Sequence, residues 1–398
     1  MLTVEEARAR LLSQAVPLRG VEQVPIGRAL GRVLAEPVVS SIAVPPLDAS
    51  QMDGYAVRAA ELASTPVTLP VSQRIPAGQI GAALAPGTVA RIFTGAPVPP
   101  GADAIVMQEA TSAAGEGAIT LTEPARAGQW IRRAGSDIAV GQTVLAAGER
   151  LLAPQLGLAA SVGCAQLPVR ARLRVALFST GDELVMPGEP LPPGRIYNSN
   201  RTMLAALLTM LGCEVQDLGI VPDRLEATRA AFVGASARAD LIITSGGVSV
   251  GEEDHVKPAV QGEGALDLWQ VAMKPGKPLA FGHVRAVPFI GLPGNPVSSF
   301  VTFLLFARPF ILARQGAVLR EAQPLPLRAA FDLPRADKRR EFLRARLTPA
   351  GELELFANQV SSALVSVAWA DGLIDNPAGQ AIARGDVVRF LPLSSLLW

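Results

Sequence analysis

Leu241-Ile242-Ile243-Thr244-Ser245-Gly246-Gly247-Val248-Ser249-Val250-Gly251 is the stretch on which the fold turns, because a short apolar run passes directly into a loop with three glycines. The run reads as a buried strand. The glycines let backbone amides approach an anion closely, and Ser245 and Ser249 add hydroxyl donors. The loop lacks the lysine of a Walker motif and the glycine spacing of a dinucleotide fold, and a plain strand-to-helix turn explains the glycines equally well. Two further loops follow within fifty residues, Lys274-Pro275-Gly276-Lys277-Pro278 and Leu292-Pro293-Gly294-Asn295-Pro296-Val297-Ser298-Ser299. Each adjoins a β-like run. Three such loops at the carboxyl ends of parallel strands converge on one crevice, where open α/β sheets bind ligands.

Upstream of these loops the pattern alternates between strand and helix. Residues 173–178 read as a buried strand and 200–211 as a helix stopped by Gly212; 215–221 is the next strand and 225–237 the next helix. This alternation predicts a parallel sheet covered on both faces, here an α/β unit over 172–316. Residues 315–326 read as a linker. Beyond it, short strands at 342–347, 353–356 and 387–391 predict a small C-terminal β-barrel or sandwich over 317–398. The N-terminal part opens on a helix with Ala7, Leu11 and Leu12 on one face and a capping box of Thr3 and Glu6, followed by a second helix-like run at 29–34. From 67 to 144 short alternating runs punctuated by Gly and Pro indicate a small β domain, and helical pattern returns at 155–162. A β unit over 46–137 is therefore read as inserted into a helical or mixed unit made of 1–45 and 138–171.

The 398 residues exceed what one core usually serves, and 49% apolar content with a net charge of +1 describes a globular chain that is no general polyanion binder. No nucleic acid and no membrane is expected. The longest apolar run, 300–312, is broken by Arg308 and Pro309 and suits a buried helix, and the N-terminus carries no signal core, so a cytoplasmic location is expected. Only Cys164 and Cys213, and only His255 and His283, are present. Thiolate or imidazole metal sites are thereby disfavoured; a metal here is expected to be Mg²⁺ on carboxylates and phosphate.

Carboxylates crowd the loops. Glu252, Glu253 and Asp254 follow the first one, where they serve either as a solvated helix start or as holders of Mg²⁺ against a phosphate. Lys274 and Lys277 are locked around Pro275-Gly276, and the helix after Asn295-Pro296 offers free amides beside Ser298, with helix capping as the competing use. Ser179-Thr180-Gly181-Asp182-Glu183 and Pro222-Asp223 close two strands. Asp48, the Met52-Asp53-Gly54-Tyr55-Ala56 turn, Phe93-Thr94-Gly95-Ala96-Pro97 and Arg132-Arg133-Ala134-Gly135-Ser136-Asp137 read, taken alone, as ordinary loops.

As an ordered set these blocks, together with Ala370-Asp371-Gly372-Leu373, resemble the molybdopterin molybdenumtransferase family, which comprises the bacterial MoeA proteins and the gephyrin E domain and its plant relatives. The resemblance runs along nearly the whole chain. It implies an elongated homodimer of four units per chain, with an α/β unit similar to molybdopterin adenylyltransferases. It also implies a reaction that takes adenylylated molybdopterin and molybdate, with Mg²⁺, to molybdenum cofactor and AMP. By position, Lys274, Lys277 and Ser298 face the oxyanion, helped by Arg344 and Ser361. Asp223 and Asp254 hold Mg²⁺, with Ser249 on the nucleotide side, while Ser245, Gly246 and Gly247 and the turn Pro293, Gly294, Asn295, Pro296 bind the substrate. Glu183 matches an acidic position needed for activity, and Asp53, Thr94 and Asp137 match positions set over a partner chain's cleft. Adenylyltransferase and molybdoenzyme maturation proteins are the other partners implied. The sequence departs from the family at Ser136, where Glu is usual, at Val360-Ser361-Ser362 in place of Gly-Ser-Gly, and at Val365 in place of Ser. Two other functions stand beside this one: adenylyl transfer onto molybdopterin, and a non-catalytic scaffold of the gephyrin type.

Overall fold

The computed structural model describes residues 1–247 and 255–397. Its centre is a six-stranded sheet whose strands run, side by side, Glu214–Val221, Arg174–Thr180, Leu241–Ser245, Val287–Leu292, Pro278–Val284 and Gly264–Gln270. The first four are parallel. The last two are antiparallel, against the expectation of an all-parallel sheet. The reason is local: Arg285, at φ 54, and Ala286 make a tight connection between Val284 and Val287, where a parallel neighbour needs a long crossover. This reversal brings Lys277 and Pro278, at the amino end of an antiparallel strand, to the same edge as the carboxyl ends of the parallel strands.

Both sheet faces are covered. One carries the helices Leu225–Ser236 and Val256–Glu263, with Phe232 edge-on between Phe178 and Phe289 at 5.1 Å from each. The other carries Ser199–Met210 and a long helix, Pro296–Arg314, of mean hydropathy 1.6. That helix is 78% buried, so its apolar length belongs to a core. It passes Pro309 without breaking: Phe303–Ala307 widens to a π-turn just before the proline, which absorbs the missing N–H.

The N-terminal helix Val4–Leu12 keeps its capping box but packs on this second face, not with the rest of 1–45. Its stripe of Val4, Ala7 and Leu11 meets the apolar surface that Phe303 to Leu312 provide. The helix expected at 29–34 is absent. Gly31, at φ 75, turns the chain, and Val33 and Leu34 form bridges to Arg150 and Val169. Val21–Pro25 pairs with Gln166–Arg170 and Val38–Val39 with Thr143–Leu145, so the two flanks of the insertion share one small core.

Between those flanks lies a second six-stranded sheet, ordered Ala104–Met107, Gly54–Val57, Val89–Ile92, Val67–Ile75, Ala118–Leu121, Thr111–Ala113. It has its own core on each face. The C-terminal unit is a row of Arg340–Leu347, Gly372–Asn376, Val387–Pro392 and Leu325–Arg328, with Leu353–Leu355 on the first of these strands. Its two sides are joined by an isolated bridge from Ala329 to Leu353. Met273–Lys274 adds to this row in parallel with Arg340 and Glu341, so a strand from the α/β unit belongs to the C-terminal sheet.

Candidate functional site

Strand 174–180 lies between 214–221 and 241–245, the place in a doubly wound sheet where the chain direction of the crossovers switches and a crevice opens. Ser179 and Ser245 end the two strands, both buried, with their hydroxyls 3.0 Å apart. Gly246 and Gly247 follow at φ 87 and 63, and their shape requires glycine: a Cβ at 247 would stand 2.5 Å from Val256 Cγ2 and 2.7 Å from Thr180 Oγ1. The Gly246 amide donates to Leu292 O at 3.1 Å, and Asn200 Nδ2 donates to Gly294 O at 2.6 Å. The first bond joins the first and third loops, and the second ties the third loop to the helix Ser199–Met210. Ser249 and Asp254 lie outside the described residues, as do Glu252 and Glu253.

The third loop leaves its helix start open in one respect and closed in another. Asn295 makes no side-chain cap, so its amide stays exposed, and Pro296 brings no N–H. The Val297 amide, however, donates to Ser361 O at 3.0 Å, so the backbone of the C-terminal unit occupies a donor expected to be free. Ser298 is 5% exposed on the same turn. The lysine loop seats on this helix, because a Cβ at Gly276 (φ 104) would lie 2.5 Å from Thr302 Oγ1 and 3.6 Å from Ser298 O. The structure thus gathers Ser245, Gly246, Gly247, the turn through Pro293, Gly294, Asn295 and Pro296, Ser298, Lys274 and Lys277 at one edge.

The two lysines differ. Lys274 Nζ is 3.0 Å from Glu341 Oε1 and 3.4 Å from Asp337 Oδ2. Lys277 is exposed, and among the described residues its ammonium has no partner. Asp337 is held well below the usual carboxylate range, first by the Arg339 guanidinium that forks onto it at 3.0 Å. Arg340 likewise pairs with Asp375 and Glu5, so the basic run 338–340 is largely engaged within the protein.

Family comparison follows this geometry closely. Residues 2–163 match the MoeA N-terminal region (domain I and II), 176–313 a probable molybdopterin binding domain, and 326–393 the MoeA C-terminal region (domain IV). The chain is 41% identical over 359 residues to the molybdopterin molybdenumtransferase of Haemophilus influenzae, covering 89% of each chain. It is 42% identical over 368 residues to molybdopterin molybdenumtransferase 2 of Mycobacterium tuberculosis, covering 89% of this chain and 90% of that one. The chain belongs to the molybdopterin molybdenumtransferase family. Its fold matches the crystal structure of the molybdopterin biosynthesis moeA protein from Pyrococcus horikoshii OT3 with a TM-score of 0.84 at 27% identity, over 98% of this chain and 100% of that one.

The other positions singled out from the family resemblance fall into separate places. Glu183 is exposed at the end of the 174–180 strand, its carboxylate folded back against Gly181 at φ 140. Asp223 sits at the neighbouring strand end, where its amide donates to Asp182 Oδ1 at 3.2 Å. Arg344 points into the C-terminal unit and is 1% exposed, donating to Ser366 Oγ at 3.1 Å and to the carbonyls of Phe342 and Val360 at 3.2 and 3.4 Å. Burial pushes its pKa down to about 10. Arg344 thus braces the segment that carries Ser361, whose carbonyl accepts from Val297 N at the helix start. Asp53 and Thr94 lie in turns beside the strands 54–57 and 89–92 of the inserted sheet, where Asp53 Oδ1 accepts from Thr94 N and Oγ1, both at 2.8 Å; Asp137 lies outside that sheet, its amide donating to Val44 O at 3.0 Å and its carboxylate accepting from the Arg132 guanidinium.

Reading the sequence missed Asn198 and Asn200, which are 2% and 9% exposed at the cleft. Asn198 Oδ1 caps the helix 199–210 through Arg201 N, while its Nδ2 and the Oδ1 of Asn200 have no hydrogen-bond partner among the described residues. An Asn-Ser-Asn run before a helix reads as a cap and nothing more, so no signal separated this pair from an ordinary helix start.

Proposed function

We propose that this chain is a molybdopterin molybdenumtransferase that takes adenylylated molybdopterin and molybdate, both as substrates, and yields molybdenum cofactor and AMP. The observation that carries this reading is the single sheet edge where glycine-loop amides, a serine-lined helix start and the unpartnered Lys277 ammonium adjoin. A pyrophosphate and a tetrahedral dianion are what such a set holds. In this reading Ser245, Gly246 and Gly247 bind the phosphate end, and Lys277, Lys274 and Ser298 orient the oxyanion. Lys274 exchanges Glu341 and Asp337 for the substrate.

Mg²⁺ fits one flank of the edge. Asp182 and Asp223 adjoin there, and this ion commonly takes one or two carboxylates and completes its shell with phosphate and water. Among the described residues no group of three His, Cys, Asp or Glu side chains forms a full protein cage. Asp223, and Asp254 by family position, would hold the ion, which supplies charge neutralisation at the pyrophosphate.

Asp53, Thr94 and Asp137 enter from a second copy of the chain. Among the described residues no hydrogen bond or ion pair joins residues 46–137 to the α/β unit, which supports a site closed by a homodimer. The test is AMP release from adenylylated molybdopterin with and without molybdate. Molybdate-dependent AMP is expected. Release that ignores molybdate, or none, would overturn the reading, and formation of adenylylated product from ATP and bare molybdopterin would replace it with adenylyl transfer.

A further inference from the structure

In the inserted sheet three strands place Arg74, Arg91 and Tyr55 directly beside one another. Two arginines in register repel, and such pairs are normally selected against. Here Phe93 separates them: the Arg74 guanidinium lies 4.5 Å from its ring centroid and that of Arg91 lies 4.7 Å from it. Arg91 is also 5.2 Å from the Tyr55 ring. The stacking fixes the plane of the Arg91 fork.

What the fork holds is the turn that carries Asp53. Arg91 donates to Gly54 O at 3.2 Å and to Gln108 Oε1 at 2.6 Å, and the Gln108 backbone N–H donates to Asp53 O at 3.0 Å. Arg91, Gln108, Asp53 and Gly54 therefore form a closed ring. Phe93, which clamps Arg91, precedes Thr94, whose amide and hydroxyl both donate to the Asp53 carboxylate. Both sides of the Asp53–Thr94 pair thus depend on one guanidinium. The pair's carboxyl is held below the usual range first by the Thr94 amide, then by the Thr94 hydroxyl, with the Arg91 charge adding to it.

We propose that Arg91 is a positioning residue for metal insertion, holding the Asp53–Thr94 pair in place through the Phe93 and Gln108 contacts. This rests on the reading in which Asp53 acts in that reaction. Arg91→Ala is expected to lower kcat for molybdate-dependent AMP release by about tenfold or more, with KM little changed, since small misplacements of a reacting group are costly. The acid limb of its pH profile should move to higher pH, because removing the cation raises the Asp53 pKa. Arg91→Lys should return the limb towards its original position while leaving kcat low, as an ammonium restores charge without the fork. Gln108→Ala, which leaves the stacked arginine in place, should give a smaller kcat loss with an unchanged melting temperature. In an Asp53→Asn background Arg91→Ala should cause no further loss.

Wild-type kcat and pH profile in both Arg91→Ala and Gln108→Ala would overturn the proposal. So would a full additional loss from Arg91→Ala in the Asp53→Asn background. A fully active Asp53→Asn variant is the different outcome that removes the underlying assignment of Asp53.

Discussion

At the α/β edge, Asn198 Nδ2, Asn200 Oδ1 and the hydroxyls of Thr244, Ser299 and Thr302 are buried with no hydrogen-bond partner among the described residues. In the inserted sheet, Asp53 has two donors on one oxygen, and its backbone carbonyl and the next one are both bonded. A buried polar atom without a partner is costly to the protein alone, whereas a closed polar ring stabilises and rigidifies. The first region holds polar groups that the protein itself, among the described residues, leaves unpaired. The second closes its polar groups on one another without any added group.

Four substitutions break or sharpen that contrast. The largest effect is expected at Gly54, whose Cβ would be driven into the Val106 carbonyl inside the inserted sheet. Gly54→Ala should destabilise by roughly 3 kcal/mol, measured by denaturant unfolding, because overpacking a preassembled sheet has no route of relief. Asp53→Ala should next reduce AMP release about a hundredfold while the melting temperature stays near wild type, since its contacts are exposed and its role is in the reaction. Lys277→Ala should raise KM for the anionic substrate by about tenfold, a single charge-assisted contact, with no measurable stability change. Ser299→Ala is the smallest and the most diagnostic. Removing an unpartnered buried hydroxyl should leave the protein as stable or up to about 1 kcal/mol more stable, the reverse of what deletion of a satisfied group does. A clear loss of stability there would show that the edge is preassembled too, and the contrast would fail.

The same contrast explains what the sequence revealed. Strands 174–180 and 241–245 and helices 199–210 and 225–236 were legible within a residue or two, because continuous apolar runs and amphipathic spacing answer to local physics. The antiparallel edge was not, since a buried strand in a mixed sheet has the same composition as one in a parallel sheet. Residues 29–34 carried an apolar spacing that suits a helix, but Gly31 and bridges to distant strands overrode it. Among site residues, the glycines and lysines announced themselves by Pro and Gly neighbours. Arg91 did not: it sits inside the Val89–Ile92 strand, and its role follows from Phe93, Gly54 and Gln108, contacts that only the folded sheet brings together. Arg344 is the opposite case: the resemblance points to the position, while its burial is legible only in the fold.

Met273–Lys274 belongs to the chain of the α/β unit and to the sheet of the C-terminal one. Because the ladder to Arg340 and Glu341 and the ion pairs to Glu341 and Asp337 act on the same residue, a rotation of the C-terminal unit cannot leave Lys274 behind. The lysine is geared to that unit like a tooth on a wheel, while Lys277, three residues on, stays with the sheet edge. The two cations of one short loop are thereby anchored in different units of the chain.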